Sequence, residues 1–200
     1  MDIMKDIPDK YFELAIVDPP YGINKDGQRL QILKNPKQNK KEHIKKDWDK
    51  EIPKKKYFEE LFRISENQII WGGNYFTQYL NGSMGWIFWD KGQELCQSDG
   101  ELAFTSFNRA LRRIIINRGI LLKDVTIHPT QKPVKLYKWL LKNYAKPNDK
   151  IIDTHSGSGT TAVACIDMGF DYLCIEKDKD YYEASVKRIN KELLKIKMFA

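Results

Sequence analysis

The sequence predicts an α/β fold in which helices cover both faces of a doubly wound, mostly parallel sheet. Two observations predict this class. Strand-like and helix-like patterns alternate along most of the chain, and a glycine-rich turn joins a short apolar run to a helix. The chain has 200 residues, 42% of them apolar and 30% charged, which fits one globular domain with a sizeable core.

The first predicted strand ends at an abrupt corner. Residues 14–17 form a short apolar run, and Asp18, Pro19, Pro20 and Tyr21 follow it directly. Because proline has no N–H for a sheet ladder, the two prolines turn the chain away where the Asp18 carboxylate emerges. A carboxylate, backbone carbonyls and one flat ring together suit a planar amine. An ordinary strand followed by a proline-rich turn is the alternative, and these four residues alone favour it.

A basic segment, residues 34–56, comes next. It holds ten lysines and four acidic residues, so it carries an excess of six positive charges out of the net +7 of the chain. Pro36, Pro53 and the scarcity of apolar residues predict a long, mobile loop. Composition alone leaves two interpretations open: a solvated insertion, or a contact with a polyanion such as nucleic acid. Its place directly after the corner favours nucleic acid.

The middle of the chain continues the alternation. The predicted elements are a helix over 57–64, a strand over 68–71, a helix start at 74–80 and strands over 85–89 and 101–107. Residues 114–116 are predicted to pair with the 101–107 strand. The span 90–125 is basic and weakly periodic, so we interpret it as a sheet edge, a small recognition insert, or both.

The last third contains the glycine-rich turn. A helix over 134–144 precedes a short strand at 151–152, and a turn over 153–161 then leads into a helix of small residues. Such a turn lets the backbone approach a ligand at a helix N-terminus. The next strand, residues 172–175, ends at Glu176. The stripe of a closing amphipathic helix is predicted to consist of Tyr182, Val186, Ile189, Leu193 and Ile196.

The acids around this turn indicate the ligand. Glu176 lies 23 positions after Asp153, where doubly wound sheets hold a nucleoside ribose. Two glycines and Ala162 leave a dinucleotide open on the glycine pattern alone. However, Asp153 ahead of the glycines would repel a pyrophosphate and attract an ammonium group. An amino-acid head joined to a ribose is S-adenosylmethionine.

These motifs, in this order, resemble the permuted (beta) class of S-adenosylmethionine-dependent DNA amino-methyltransferases. The resemblance covers nearly the whole chain, and the order is its specific part, because protein and ribosomal RNA methyltransferases with a similar Pro-Pro-Tyr generally place the glycine loop first. It implies a Rossmann-like, circularly permuted methyltransferase sheet. The matching stretches are Asp-Pro-Pro-Tyr at 18–21, Trp-Gly-Gly-Asn at 71–74, His-Pro-Thr-Gln-Lys-Pro at 128–133, and 153–161 with Glu176.

The resemblance also implies a role for each matching residue. Asp18, Pro19, Pro20 and Tyr21 would form the pocket for a base flipped out of double-stranded DNA, with the exocyclic amine of adenine as the methyl acceptor. Thr130 and Lys132 would lie beside the methionine carboxylate of the cofactor. The other cofactor residues would be Asp153, His155, Ser156, Gly157, Ser158, Gly159, Thr160, Thr161 and Glu176. Lysines of the basic segment, Lys40, Lys41, Lys45 and Lys46 among them, would hold phosphates.

The chain departs from this family in two places. Thr154 and His155 stand where the family usually has Pro and Phe, so cofactor packing is expected to differ. Only residues 1–11 precede the corner strand, which suggests either a sheet without one edge strand or a fragment. The small span for target recognition suggests a homodimer or a short target site. N4-cytosine methylation and a non-catalytic DNA-binding relic of the fold are the alternatives; aspartate before Pro-Pro-Tyr is commoner in the adenine enzymes.

The remaining composition restricts cofactors and compartment. Cys96, Cys165 and Cys174 are odd in number and lack metal-ligand spacing, so reduced thiols are predicted rather than a zinc site or a disulfide. No apolar run approaches the roughly 18 residues of a membrane span, and the N-terminus does not resemble a signal peptide. We therefore expect a cytoplasmic protein without a metal and without a membrane contact.

Overall fold

The computed structural model describes residues 2–27, 45–92, 98–117 and 126–199. Within these ranges five α-helices and seven β-strands alternate much as predicted. The helices are α1 (Asp2–Lys5), α2 (Lys55–Ile64), α3 (Val134–Tyr144), α4 (Thr160–Met168) and α5 (Lys179–Phe199). The strands are β1 (Phe12–Val17), β2 (Ser65–Trp71), β3 (Trp86–Asp90), β4 (Gly100–Thr105), β5 (Arg112–Ile115), β6 (Lys150–Asp153) and β7 (Asp171–Cys174).

The seven strands form one sheet in the order β5-β3-β4-β2-β1-β6-β7. Only β4 runs antiparallel to its neighbours, so the prediction of a mostly parallel sheet is confirmed. β1 and β6 pair side by side, with Leu14 opposite Ile151 and Ala15 opposite Ile152. The corner after β1 and the glycine turn after β6 therefore emerge at the same edge of the sheet, where doubly wound folds bind ligands.

Helices cover both faces of the sheet because side chains alternate along its strands. Leu14 and Ile16 of β1 belong to a buried cluster that includes residues of α3 and α4. Ala15 and Val17 point the other way, into a second cluster with α1 and α2. Both faces of β1 and β6 are therefore covered by buried clusters, which hold the carboxyl ends of these two strands in place.

Two predictions in the middle of the chain were wrong. Residues 74–80 do not start an α-helix; they form two 3₁₀ turns, Gly73–Tyr75 and Thr77–Tyr79, with Phe76 fully buried between them. Residues 114–116 do not pair with β4, because β2 and β3 already occupy both of its edges. β5 pairs with β3 instead.

The predicted stripe of the closing helix was also partly wrong. Tyr182 and Leu193 are 53% and 40% exposed, whereas Tyr181 and Ser185 are 7% and 3% exposed. α5 is therefore rotated from the predicted orientation, since Tyr181 turns inward against the ring of His128. The side chain of Ile196 lies outside the described residues.

β5 and β7 are the two edge strands of the sheet, and no described residue extends the sheet beyond β7.

Cys165 and Cys174 are free thiols, and Cys96 lies outside the described residues. None of the helices in the described ranges is both long and apolar enough to cross a membrane.

Candidate active site

The corner after β1 is held by a buried aspartate from the basic segment. Asp49 is 2% exposed, and its Oδ1 accepts hydrogen bonds from the backbone N–H groups of Tyr21 and Gly22 at 2.7 and 2.9 Å. Its Oδ2 accepts from the N–H of Lys25 at 2.7 Å. Asp49 thus satisfies three backbone donors of the segment that follows β1. Sequence reasoning missed this residue, since nothing local distinguishes it from the other acids among the lysines.

The ring of Tyr21 depends on a glycine at the end of β2. Gly72 has φ +67°, and a Cβ there would lie 2.2 Å from the Tyr21 ring. The ring of Tyr75 stacks on that of Tyr21 at 4.9 Å between centroids and 13° between planes, and Phe76 packs edge-on at 6.1 Å. A side chain at position 72 would therefore displace the aromatic wall of the corner.

A network of two buried lysines and two half-buried carboxylates connects the corner to the stretch before α3. The ammonium of Lys132 donates to Asp18 Oδ2 and lies 3.2 Å from Glu101 Oε2. Lys91 Nζ lies 3.0 Å from the other oxygen of Glu101, and the Tyr21 hydroxyl donates to Asp18 Oδ1 at 2.6 Å. Cations and anions alternate through this network, so each charged group has a partner of opposite charge, as charges removed from water require.

This network sets the protonation of its members. Burial raises the pKa of Asp18 above its ordinary value, and Lys132 limits the rise. Burial would lower the pKa of Lys132, but Asp18 and Glu101 hold it above its ordinary value. Burial would raise the pKa of Glu101, but Lys132 and Lys91 hold it below its ordinary value. Lys132 is therefore a cation at neutral pH, and Asp18 accepts a proton more readily than a surface aspartate does.

Two carboxylates, those of Asp153 and Glu176, lie at the glycine turn. Asp153 ends β6 and is 2% exposed; its Oδ1 accepts the N–H of His155 at 3.0 Å, and its Oδ2 accepts the hydroxyl of Thr161. Burial raises the pKa of Asp153 to about 7. Glu176 Oε2 accepts the N–H of Gly157 at 2.7 Å. The tips of β6 and β7 thus present acids to the same loop, as the sequence predicted.

An arginine of α5, Arg188, donates hydrogen bonds to the glycine turn. Arg188 Nη1 donates to the Ser158 carbonyl at 2.9 Å and to Thr160 Oγ1 at 3.1 Å. The loop itself needs glycine, since Gly157 and Gly159 have φ +50° and +71°. Sequence reasoning missed Arg188, because a basic residue on an amphipathic helix gives no signal of an inward contact.

Tyr57 of α2 forms a hydrogen-bonded group with Thr154 and His155, the two residues that depart from the family pattern. The Tyr57 hydroxyl lies 2.7 Å from Thr154 Oγ1, which in turn lies 3.0 Å from His155 Nδ1. Burial lowers the pKa of His155 to about 4, so the imidazole is neutral at pH 7 and weakly basic. The polar substitutions are thus satisfied within the protein, and His155 is a poor candidate for a catalytic base.

The end of the basic segment lies along the loop after β7. Lys46 Nζ donates to Asp178 at 2.6 and 2.7 Å and to Asp180 at 2.6 Å, and it lies 4.6 Å from the Tyr181 ring centroid. Trp48 packs on His128 at 5.1 Å. Lys46 is therefore engaged by acids of the protein, whereas Lys45 is exposed. Lys40 and Lys41 lie outside the described residues, and Lys55 and Lys56 already belong to α2.

Two cavities meet at the corner. The larger, of about 1100 Å³, is lined by all the predicted cofactor residues except Gly159, the residue that immediately precedes α4. The smaller, of about 630 Å³, is lined by Asp18, Pro19, Pro20 and Tyr21. The wall common to both consists of Asp18, Pro20, Trp48, Thr130, Gln131 and Lys132. An atom passed from one cavity to the other would therefore pass beside the Asp18 carboxylate.

Sequence comparison adds a family to this geometry. Residues 90–187, just under half of the chain, match the N6_N4_Mtase family model, described as DNA methylase. The type II methyltransferase M2.LlaDCHI of Lactococcus lactis subsp. cremoris is 39% identical over 64 residues, which are 32% of this chain and 24% of that protein. The type II methyltransferase M2.MboI of Moraxella bovis is 38% identical over 61 residues, 30% of this chain and 22% of that protein. The matched stretch thus spans about a quarter of these relatives.

Solved structures share the fold at low sequence identity. The M1.HpyAVI–SAM complex matches with a TM-score of 0.61 and 18% identity, covering 94% of both chains. TTHA0409 of Thermus thermophilus, complexed with S-adenosyl-L-methionine, matches with a TM-score of 0.61 and 14% identity, covering 96% of this chain and 90% of that one. PvuII DNA methyltransferase, cytosine-N4-specific, matches with a TM-score of 0.59 and 13% identity, covering 94% and 86%. Residues 90–187 are thus similar in sequence to the N6_N4_Mtase family model, and nearly the whole chain shares the fold of these solved structures.

Proposed function

We propose that this protein transfers a methyl group from S-adenosylmethionine to an exocyclic amine of a base in double-stranded DNA, with the N6 amine of adenine as the acceptor. One observation carries the proposal. The cavity at the glycine turn and the cavity at the Pro-Pro-Tyr corner share a wall that includes Asp18 and Lys132. A methyl donor in one cavity and an amine in the other would meet at the half-buried carboxylate of Asp18.

The larger cavity suits S-adenosylmethionine. The Asp153 carboxylate is buried and receives two hydrogen bonds among the described residues, so an ammonium group would find an acidic partner there. Glu176 is placed at the tip of β7, where ribose hydroxyls would be held. Bound there, the cofactor supplies a methyl group on a sulfonium centre. The related solved structures described as complexes with this cofactor support the assignment.

The residues of the corner suit the acceptor amine. Its lone pair is delocalised into the ring, so the site must hold the nitrogen in line and accept its hydrogens. Asp18 and the carbonyl of Pro19 supply acceptors. Formation of the N–CH₃ bond would break the S–CH₃ bond of the sulfonium and release S-adenosylhomocysteine, and the methylated nitrogen would then have one proton to lose. Asp18, whose pKa burial raises, is the acceptor for that proton, and Lys132 keeps the carboxylate oriented toward the amine.

A base within a duplex cannot reach this corner, so the target base would be flipped out. Tyr75 covers one face of the Tyr21 ring, so the base would stack on the opposite face or replace Tyr75. Phosphates would be held by lysines of the basic segment, with Lys45 exposed for such a contact. Lys46 would first have to leave Asp178 and Asp180. A homodimer would enlarge the surface for target recognition.

Tritiated S-adenosylmethionine provides the direct test. The protein is incubated with mixed-sequence double-stranded DNA, the DNA is digested, and the nucleosides are separated. We expect label in N6-methyldeoxyadenosine; label in N4-methyldeoxycytidine would move the acceptor to cytosine, which the likeness to the cytosine-N4-specific PvuII enzyme keeps in the test. Cofactor binding without any label in DNA would favour a non-catalytic relic of the fold. Asp18→Ala is the matched negative control.

A further inference from the structure

The wall between the two cavities contains a buried amide that the proposed reaction has not used. Gln131 is 6% exposed and lines both cavities. Its Oε1 accepts a hydrogen bond from the backbone N–H of Ile127 at 3.1 Å. Because that backbone donor must face the oxygen, the contact fixes which end of the amide carries the NH₂ group.

The NH₂ group of Gln131 has no hydrogen-bond partner among the described residues. Its neighbours in sequence differ in this respect, since Thr130 Oγ1 lies 3.1 Å from His128 Nδ1 and the Lys132 ammonium is bonded to Asp18. Buried donors in proteins are normally paired, and one left alone costs stability. A donor that is buried, held in orientation and located in a ligand-sized cavity points to an acceptor on the ligand.

We infer that Gln131 donates a hydrogen bond to the ring nitrogen next to the reactive amine of the target base. This inference rests on the proposed function. In adenine and in cytosine the exocyclic amine is adjacent to an unprotonated ring nitrogen, N1 or N3 respectively. Asp18 would accept from the amine while Gln131 donates to that nitrogen, which reads two adjacent positions of the Watson–Crick edge. Guanine and thymine carry an N–H at the corresponding ring position, so two donors would face each other and these bases would be rejected.

The base is a better partner for this amide than the cofactor carboxylate. The sequence neighbour Lys132 reaches the Asp18 carboxylate, where the amine would lie, so this stretch faces the reacting centre. A neutral amide donor matches a neutral ring nitrogen. A carboxylate would call for a cation, and the Lys132 ammonium is already shared by Asp18 and Glu101.

Gln131→Glu is the sharpest variant, because its carboxyl still offers Ile127 an oxygen while the NH₂ donor is lost. Above the pKa of the new carboxyl, kcat/KM for DNA should fall on the order of tenfold or more, with the Kd for S-adenosylhomocysteine unchanged. As the pH is lowered the new carboxyl gains an O–H donor, so the deficit relative to wild type should shrink. Purely structural damage would not show that recovery.

An analogue lacking the acceptor completes the test. Once the labelled base is known, duplexes carrying 1-deazaadenine or 3-deazacytosine at the target position are compared with the normal base. Wild type should lose about tenfold on the analogue, whereas Gln131→Glu should lose little more. Gln131→Met replaces the variant if thermal unfolding shows that Gln131→Glu does not fold.

Three results would overturn the inference. Equal kcat/KM for variant and wild type on the normal base would show that the amide makes no contact with it. Weaker binding of S-adenosylhomocysteine with unchanged kinetics toward DNA would move Gln131 to the cofactor. Absence of label in DNA exposed to wild type would remove the proposed function itself, and the inference with it.

Discussion

The ammonium of Lys132 is hydrogen-bonded to the carboxylate of Asp18, although 114 positions separate the two residues in the chain. The family resemblance implied that Lys132 lies beside the methionine carboxylate of the cofactor, and Lys132 does line the larger cavity. In the structure the lysine touches the residue proposed to receive the amine proton. The stretch before α3 therefore lines both cavities and also contacts the corner at Asp18.

Asp18→Ala is expected to lower kcat for methyl transfer by about 10²- to 10⁴-fold, because the proton released by the amine loses its acceptor. Binding of S-adenosylhomocysteine, measured by calorimetry, should survive, since Asp153 and Glu176 remain. Asp18→Asn is the matched control, which keeps an oxygen toward the amine but cannot take up the proton. Full activity in Asp18→Ala would contradict the assignment of the corner.

Lys132→Met and Glu101→Gln are expected to shift the pH dependence of kcat in opposite directions. Lys132 lowers the pKa of Asp18 and Glu101 raises it. Removing the lysine should therefore move the acid limb of the profile to higher pH, and removing the glutamate charge should move it to lower pH. Lys132→Met should also destabilise the fold, because Asp18 loses its cation while Glu101 keeps only Lys91. Shifts of the same sign in both variants would show that Asp18 does not govern the limb.

The sequence alone predicts those parts of the site that depend on local sequence patterns. The corner at Asp18 and the turn at Asp153 each follow a short apolar run, and parallel strand order places them side by side. Asp49 and Arg188 could not be found this way, because their contacts join residues 24 to 30 positions apart through the fold. β4 also gave no local sign of running antiparallel, so the pairing of residues 114–116 was predicted wrongly.

Asp153 makes cofactor affinity depend on pH. Burial raises its pKa to about 7 in the unliganded protein, and an ammonium group favours the ionised form. Below pH 7 the carboxyl must first lose a proton, so affinity for S-adenosylhomocysteine should fall by up to about tenfold per pH unit. Above pH 7 this dependence should level off. Calorimetric titrations from pH 5.5 to about pH 7.5, below the range where a ligand amine deprotonates, would measure it.

The raised pKa of Asp153 also makes the stability of the unliganded protein depend on pH. Since the native state holds the Asp153 proton to higher pH than the unfolded chain, stability should decline as pH rises from about 4 to 7 through this group. Asp153→Asn should remove both this decline and the acid limb of cofactor affinity, while weakening binding at neutral pH. An unchanged acid limb in Asp153→Asn would assign that limb to another group.

Tyr21 is expected to act through its ring more than through its hydroxyl. Tyr21→Ala removes the stacking surface, and loss of a base–aromatic stack costs about 1–3 kcal/mol, or roughly 5- to 150-fold in kcat/KM for DNA. Tyr21→Phe keeps the ring and removes only the hydroxyl, with its hydrogen bonds to Asp18 and Lys132, so its loss should be smaller. Fluorescence of 2-aminopurine at the target position would report stacking separately from turnover. Equal losses in the two variants would argue against a stacked base.

Gly72→Ala should displace the Tyr21 ring without touching any charged residue of the site. Its Cβ would lie 2.2 Å from that ring, and φ +67° is unfavourable for alanine. We expect a loss of stability of about 1–3 kcal/mol from the backbone strain, with a fall in kcat/KM for DNA comparable to that of Tyr21→Ala. Gly82→Ala is the matched control, because nothing lies within 4 Å of a Cβ at that position. The double variant separates the causes: if the ring clash dominates, Gly72→Ala should cost less activity in a Tyr21→Ala background than in wild type, and additive losses would locate the damage in the backbone turn instead.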